Sequence, residues 1–101
     1  MADAFKACSL TPGDAADRAE EFRALARRSL SGRERSQEEV RLRFRDEPGV
    51  PEAVEDLARR ERECCRFLTL EVERSGGEVT LAIGAAPEDR AALDAFYELA
   101  A

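Results

Sequence analysis

The chain has 101 residues, 44% of them hydrophobic and 38% charged, an apolar share near the globular norm beneath a densely charged surface. Histidine and tryptophan are absent, which excludes imidazole acid/base catalysis, serine–histidine triads and imidazole metal sites. The net charge of -6 argues against nucleic acid or an anionic membrane as a partner, because both call for a positive field.

The length fits one domain, 1–101, with a modest core. Residues 3–9, with Phe5, Ala7 and Cys8, read as a short strand or an extended arm. Thr11-Pro12-Gly13-Asp14 opens a helix: threonine caps, proline sits where its missing N–H costs nothing, and the aspartate favours the positive end. Ala15, Ala19, Phe22, Leu25, Ala26 and Leu30 follow at helical spacing, and Ser31-Gly32 closes that helix. Val40 to Arg45 alternates apolar and basic residues, the signature of a strand with one face buried.

Pro48-Gly49-Val50-Pro51 turns into a second helix, 50–64, whose inner stripe is Val54, Leu57, Ala58 and Glu61, extended by Cys64 and Cys65. Leu68, Leu70 and Val72 alternate as a strand, Arg74-Ser75-Gly76-Gly77 turns the chain, and Val79, Leu81 and Ile83 form its partner. Ala86-Pro87-Glu88-Asp89 starts a last helix that buries Leu93, Phe96, Tyr97 and Ala100. The order (β)αβαββα predicts an α+β two-layer sandwich, with a three- or four-stranded, mainly antiparallel sheet covered on one face by three helices. There is no repeat, no low-complexity tract and no apolar run of signal-peptide or membrane-span length, so a cytoplasmic location with reduced thiols is expected.

Sulfur is the only soft, reactive chemistry in the chain. Cys64 and Cys65 are adjacent in Arg62-Glu63-Cys64-Cys65-Arg66-Phe67, and Cys8 lies far upstream. Consecutive Cα atoms lie about 3.8 Å apart, whereas a relaxed disulfide wants about 4.4–6.8 Å, so a Cys64–Cys65 bond would be strained. If oxidised, Cys8 is expected to pair with one of the two. Two thiolates held together suit a soft cation, Hg(II), As(III), Cu(I) or Cd(II), and a third sulfur from Cys8 would complete the set. For a shared ion, Cys8 would have to bring its sulfur within roughly 3.5–4.5 Å of a partner sulfur, given metal–sulfur bonds of about 2.3 Å. A structural zinc site is disfavoured, because tetrahedral closure wants four N/S ligands in spaced pairs. Arg62 and Arg66 favour thiolate while Glu61 and Glu63 oppose it. Against all of this stands simple packing, since free cysteine is among the most buried residue types.

The remaining motifs are structural. Arg41, Arg43 and Arg45 form a basic stripe on the outer face of their strand, read as solvated and partly neutralised by cross-strand Glu71 and Glu73. Gly76-Gly77 is a hairpin turn and no phosphate loop, since neither a lysine nor a helix follows.

The residues Cys8-Ser9-Leu10, Arg18, Glu21-Phe22, Leu25, Val40 to Phe44, and Glu61 with Cys64 to Leu70 carry a likeness. With Val79-Thr80-Leu81 and Ala85-Ala86-Pro87 it spans nearly the whole chain. The pattern resembles an uncharacterised small cysteine-containing domain of actinobacteria, found alone or as a C-terminal extension of mercury-resistance-type (MerR family) regulators. The resemblance implies a cytosolic role near heavy-metal response, with Cys8, Cys64 and Cys65 as the matching residues. The regulator version also carries a DNA-binding domain, so transcriptional control is not expected of these residues alone.

Three functions compete. The first is soft heavy-metal binding or sensing, of Hg(II) or As(III), through Cys64, Cys65 and Cys8, with Glu61 or Glu63 in support and a second copy or a regulator as protein partner. The second is a thiol-dependent enzyme, organomercurial-cleaving or redox, with Glu61 delivering a proton. The third is an interaction domain whose cysteines are packed. No catalytic residue and no resident cofactor beyond such an ion is assigned.

Overall fold

A computed structural model describes residues 12–100. The elements are α1 (Pro12–Ser29), β1 (Leu30–Arg35), β2 (Glu39–Arg45), α2 (Val50–Cys64), β3 (Leu68–Ser75), β4 (Glu78–Ala85), a single 3-10 turn (Pro87–Asp89) and α3 (Ala91–Leu99). The sheet runs β1-β2-β4-β3 and every pairing is antiparallel. This is the expected α+β architecture with four strands. The segment 3–9, expected as strand or arm, lies outside the described residues.

The alternating segments dictate the layers. Val40, Leu42 and Phe44 of β2 stand in register with Ile83, Leu81 and Val79 of β4, and Leu70 of β3 stands opposite Ile83. These side chains are all buried and form one wall of the core. The opposing wall is Phe22, Leu25 and Ala26 of α1, Val54, Leu57 and Ala58 of α2, and Leu93 and Phe96 of α3. The rings of Phe22 and Phe96 meet at 5.7 Å between centroids, tilted by 56°, a favourable aromatic geometry that ties α1 to α3. Gly76 and Gly77 both have positive φ, 60° and 81°, as a two-residue turn of this hand demands, so β3 returns directly as β4.

The strand β1 departs from expectation, in which the first helix runs through Leu30, closes at Ser31-Gly32 and is followed by no strand until Val40. Instead α1 ends at Ser29 and the chain pairs with β2 from Leu30. A bulge between Leu30 and Gly32 shifts the register, so Leu30 and Arg33 both fall on the helix side, opposite Phe44 and Leu42. The inward positions 33 and 35 thus hold arginines, and no apolar alternation marks the strand. Both are put to use against α3. Arg33 donates to the Tyr97 carbonyl at 2.6 Å with its guanidinium carbon 3.9 Å above the Tyr97 ring, and Arg35 pairs with Asp94 at 3.0 Å.

The basic stripe is also neutralised differently. β4 separates β2 from β3, so Arg41 and Glu71 stand on either side of Ala82, and Arg43 and Glu73 on either side of Thr80. Arg41, Arg43 and Arg45 instead face Glu39, Glu34 and Glu47 at 3.7, 3.8 and 3.3 Å. Among the described residues no helix is long and apolar enough to cross a membrane.

Candidate functional site

The vicinal cysteines sit where α2 stops. Cys64 is the last helical residue, and Cys65 is its cap, with φ -115° and ψ 83°. The Cys65 N–H still donates to the Glu61 carbonyl at 2.7 Å, and the Leu68 N–H then donates to the Cys65 carbonyl at 3.1 Å, a tight exit into β3. Leaving helical geometry at Cys65 redirects its side chain into the core, where it is fully buried, while Cys64 remains half-buried. Two adjacent residues therefore both lie against the core, which regular helical spacing alone does not give.

The two sulfurs are 3.8 Å apart, far beyond a covalent S–S bond. Cys64 is a free thiol, whereas Cys65 is disulfide-bonded. Cys8, the third expected ligand, lies outside the described residues.

Glu61 completes the local group. It is 2% exposed, and its Oε2 lies 3.4 Å from the Cys65 sulfur. Its Oε1 accepts from Arg18 of α1 at 2.7 Å. Burial pushes the Glu61 carboxyl above its ordinary value, and the Arg18 guanidinium, with Arg60 behind it, offsets part of that rise. A second ion pair runs the other way across the same helix pair, with Arg60 of α2 donating to Glu21 of α1 at 3.0 Å. Sequence inspection placed Glu61 on the inner stripe but missed Arg18, which lies 43 positions away. The signal was present: a carboxylate on an apolar stripe requires a cation from another element.

The other expected neighbours are committed elsewhere. Glu63 is exposed and pairs with Arg59 at 3.2 Å, on the outer side of α2. Arg62 donates from Nε to the Leu70 carbonyl at 2.9 Å, covering a backbone group of the edge strand β3 rather than either thiol. Among the described residues no three histidine, cysteine, aspartate or glutamate side chains are grouped to hold a metal ion.

The chemistry open to the described part is that of two sulfurs. Metal–sulfur bonds of about 2.3 Å across a 3.8 Å separation subtend about 110° at the ion. Linear two-coordination needs about 4.6 Å, twice the bond length, a difference that a χ1 change at half-buried Cys64 can supply. A three-sulfur ion would need one further ligand.

Comparison with family models, with curated proteins and with solved structures returns no match.

Proposed function

We propose that this protein, in its reduced form, captures a soft heavy-metal ion through Cys64 and Cys65, Hg(II) ahead of As(III). The single observation behind this reading is the pair of sulfurs 3.8 Å apart, one half-exposed and one buried. Hg(II) comes first because two thiolates satisfy it, whereas As(III) wants a third, for which Cys8 is the remaining cysteine. The ion first meets Cys64, then exchanges its second ligand for Cys65 in the interior. Each thiol loses a proton as its metal–sulfur bond forms. The Cys65 proton has a nearby acceptor in Glu61, whose Oε2 lies 3.4 Å from the sulfur. The disulfide at Cys65 makes capture conditional on reduction.

Hg(II) titration against a competing small thiol, followed by sulfur-to-metal charge-transfer absorbance, tests the reading. The reduced protein is expected to bind one ion, and the oxidised protein at least about a hundredfold more weakly. Cys64→Ser and Cys65→Ser should each lose affinity to a similar degree, as expected when one of two bonds is removed. Unchanged affinity in either variant overturns the proposal.

A further inference from the structure

The three helices pack on one side of the sheet, which leaves the other side uncovered by any of the described residues, and its charges are arranged in columns. The central strand β4 presents small residues there, Thr80, Ala82 and Gly84. On one side of it runs the basic column Arg41 and Arg43, and on the other the acidic column Glu71 and Glu73. The rows match: Arg41 and Glu71 flank Ala82, and Arg43 and Glu73 flank Thr80. The basic column is only loosely compensated, its contacts with Glu39 and Glu34 being 3.7 and 3.8 Å between half-exposed side chains. Glu71 and Glu73 are exposed and, among the described residues, have no ion-pair partner.

We infer that this face docks a second copy of the chain, sheet against sheet, about a two-fold axis that runs along β4. Such an axis preserves height along the strand and exchanges the two sides. It therefore lays Arg41 over Glu71 of the partner subunit, and Arg43 over Glu73 of the partner subunit, in both halves at once. The short side chains of Thr80 and Ala82 lie on the axis and permit close approach. Glu78, which would otherwise meet its own mate, leans away across the sheet, where Ser31 donates to its Oε2 at 2.7 Å. Sheets that pack face to face cross at about 30°, which disperses the outer strands but keeps the columns beside the axis in contact. The face is polar and small, so association is weak and concentration-dependent, at the lower end of interface sizes, under about 1,200 Å² in total. The inference does not rest on the thiol site.

Charge reversal tests it. R41E/R43E makes both columns acidic, and E71R/E73R makes both basic, so each variant alone should be monomeric, with its dimer Kd raised at least about a hundredfold. Mixed, the two should form a heterodimer, because every cross-pair is then opposite in charge. The fourfold swap R41E/R43E/E71R/E73R keeps the net charge of the wild type and should restore the homodimer. Sedimentation equilibrium from micromolar to millimolar protein, at low and high salt, reads the wild type, the three variants and the mixture, and circular dichroism confirms that each is folded. A wild type monomeric throughout, a reversed variant that dimerises as well as wild type, or a mixture that fails to associate overturns the inference.

Discussion

Arg18 and Glu61 close the gap between α1 and α2 with a 2.7 Å ion pair, and the second carboxylate oxygen of Glu61 is turned to the Cys65 sulfur. The carboxylate thus answers both to a cation on another helix and to the sulfur at its own helix end. Arg18→Met leaves that buried charge uncompensated. It should cost about 3 kcal/mol, the lower end for a broken buried pair because Arg18 keeps some exposure, as measured by urea unfolding. R18M/E61L should recover most of that loss, and a double variant no more stable than R18M would contradict this account.

Glu61 also sets the sign of one pH dependence. Its folded-state pKa is raised above the ordinary value of 4.5, so the folded protein holds this proton more tightly than the unfolded chain does. The stabilisation from the protonated form is complete below the unfolded value and fades as pH rises through the folded one. Wild type should therefore lose stability over that window relative to Glu61→Gln, whose curve lacks this component. The groups facing Glu61 are Arg18, Arg60 and the Cys65 sulfur. Parallel wild-type and variant curves would rule out this role.

The two cysteines should separate in stability. Cys65 is fully buried and disulfide-bonded, so Cys65→Ser puts an unmatched hydroxyl into the core and removes a cross-link, at a cost of at least about 2 kcal/mol in oxidised protein. Cys64→Ser, at a half-buried helix end, should stay within about 0.5 kcal/mol. Thermal midpoints of both variants with and without reductant give the comparison, and equal losses would count against the burial difference.

Arg33 is expected to behave as a core residue despite its charge. Arg33→Ala removes the bond to the Tyr97 carbonyl and the contact with its ring, for about 1–2 kcal/mol. Hydrogen exchange should quicken in α3 more than in α2. Uniform quickening across the chain would show that the contact holds no element in particular.

The α+β layering was legible from alternation, because β2 and β4 bury every second residue, and β3 its first two inward positions, Leu68 and Leu70, against helices with clear apolar stripes. β1 was hidden for a physical reason. Its inward positions carry arginines whose stems pack on α3, and the bulge at Ser31 breaks the period, so the segment looks like a helix end followed by a loop. The vicinal thiols were likewise plain in the sequence, and so was Glu61 on the inner stripe. Arg18 was not, because nothing local distinguishes a buried ion-pair arginine from the many surface ones; only the docking of α1 on α2 does. The partners of the Arg41–Arg45 stripe were misassigned for want of strand order, since β3, the next strand in sequence after α2, is only a second neighbour of β2 in this sheet.

The peptide bond between the two cysteines is also the boundary where α2 ends, since Cys64 keeps helical geometry and Cys65 abandons it. Any reversible opening of the final helical turn therefore moves one sulfur against a fixed one, and the 3.8 Å gap changes with it. A ligand bridging both would act as a clasp on that turn, holding the Cys65 N–H on the Glu61 carbonyl. The end of a helix, ordinarily its loosest point, becomes here the part whose rigidity reports whether the sulfurs are joined.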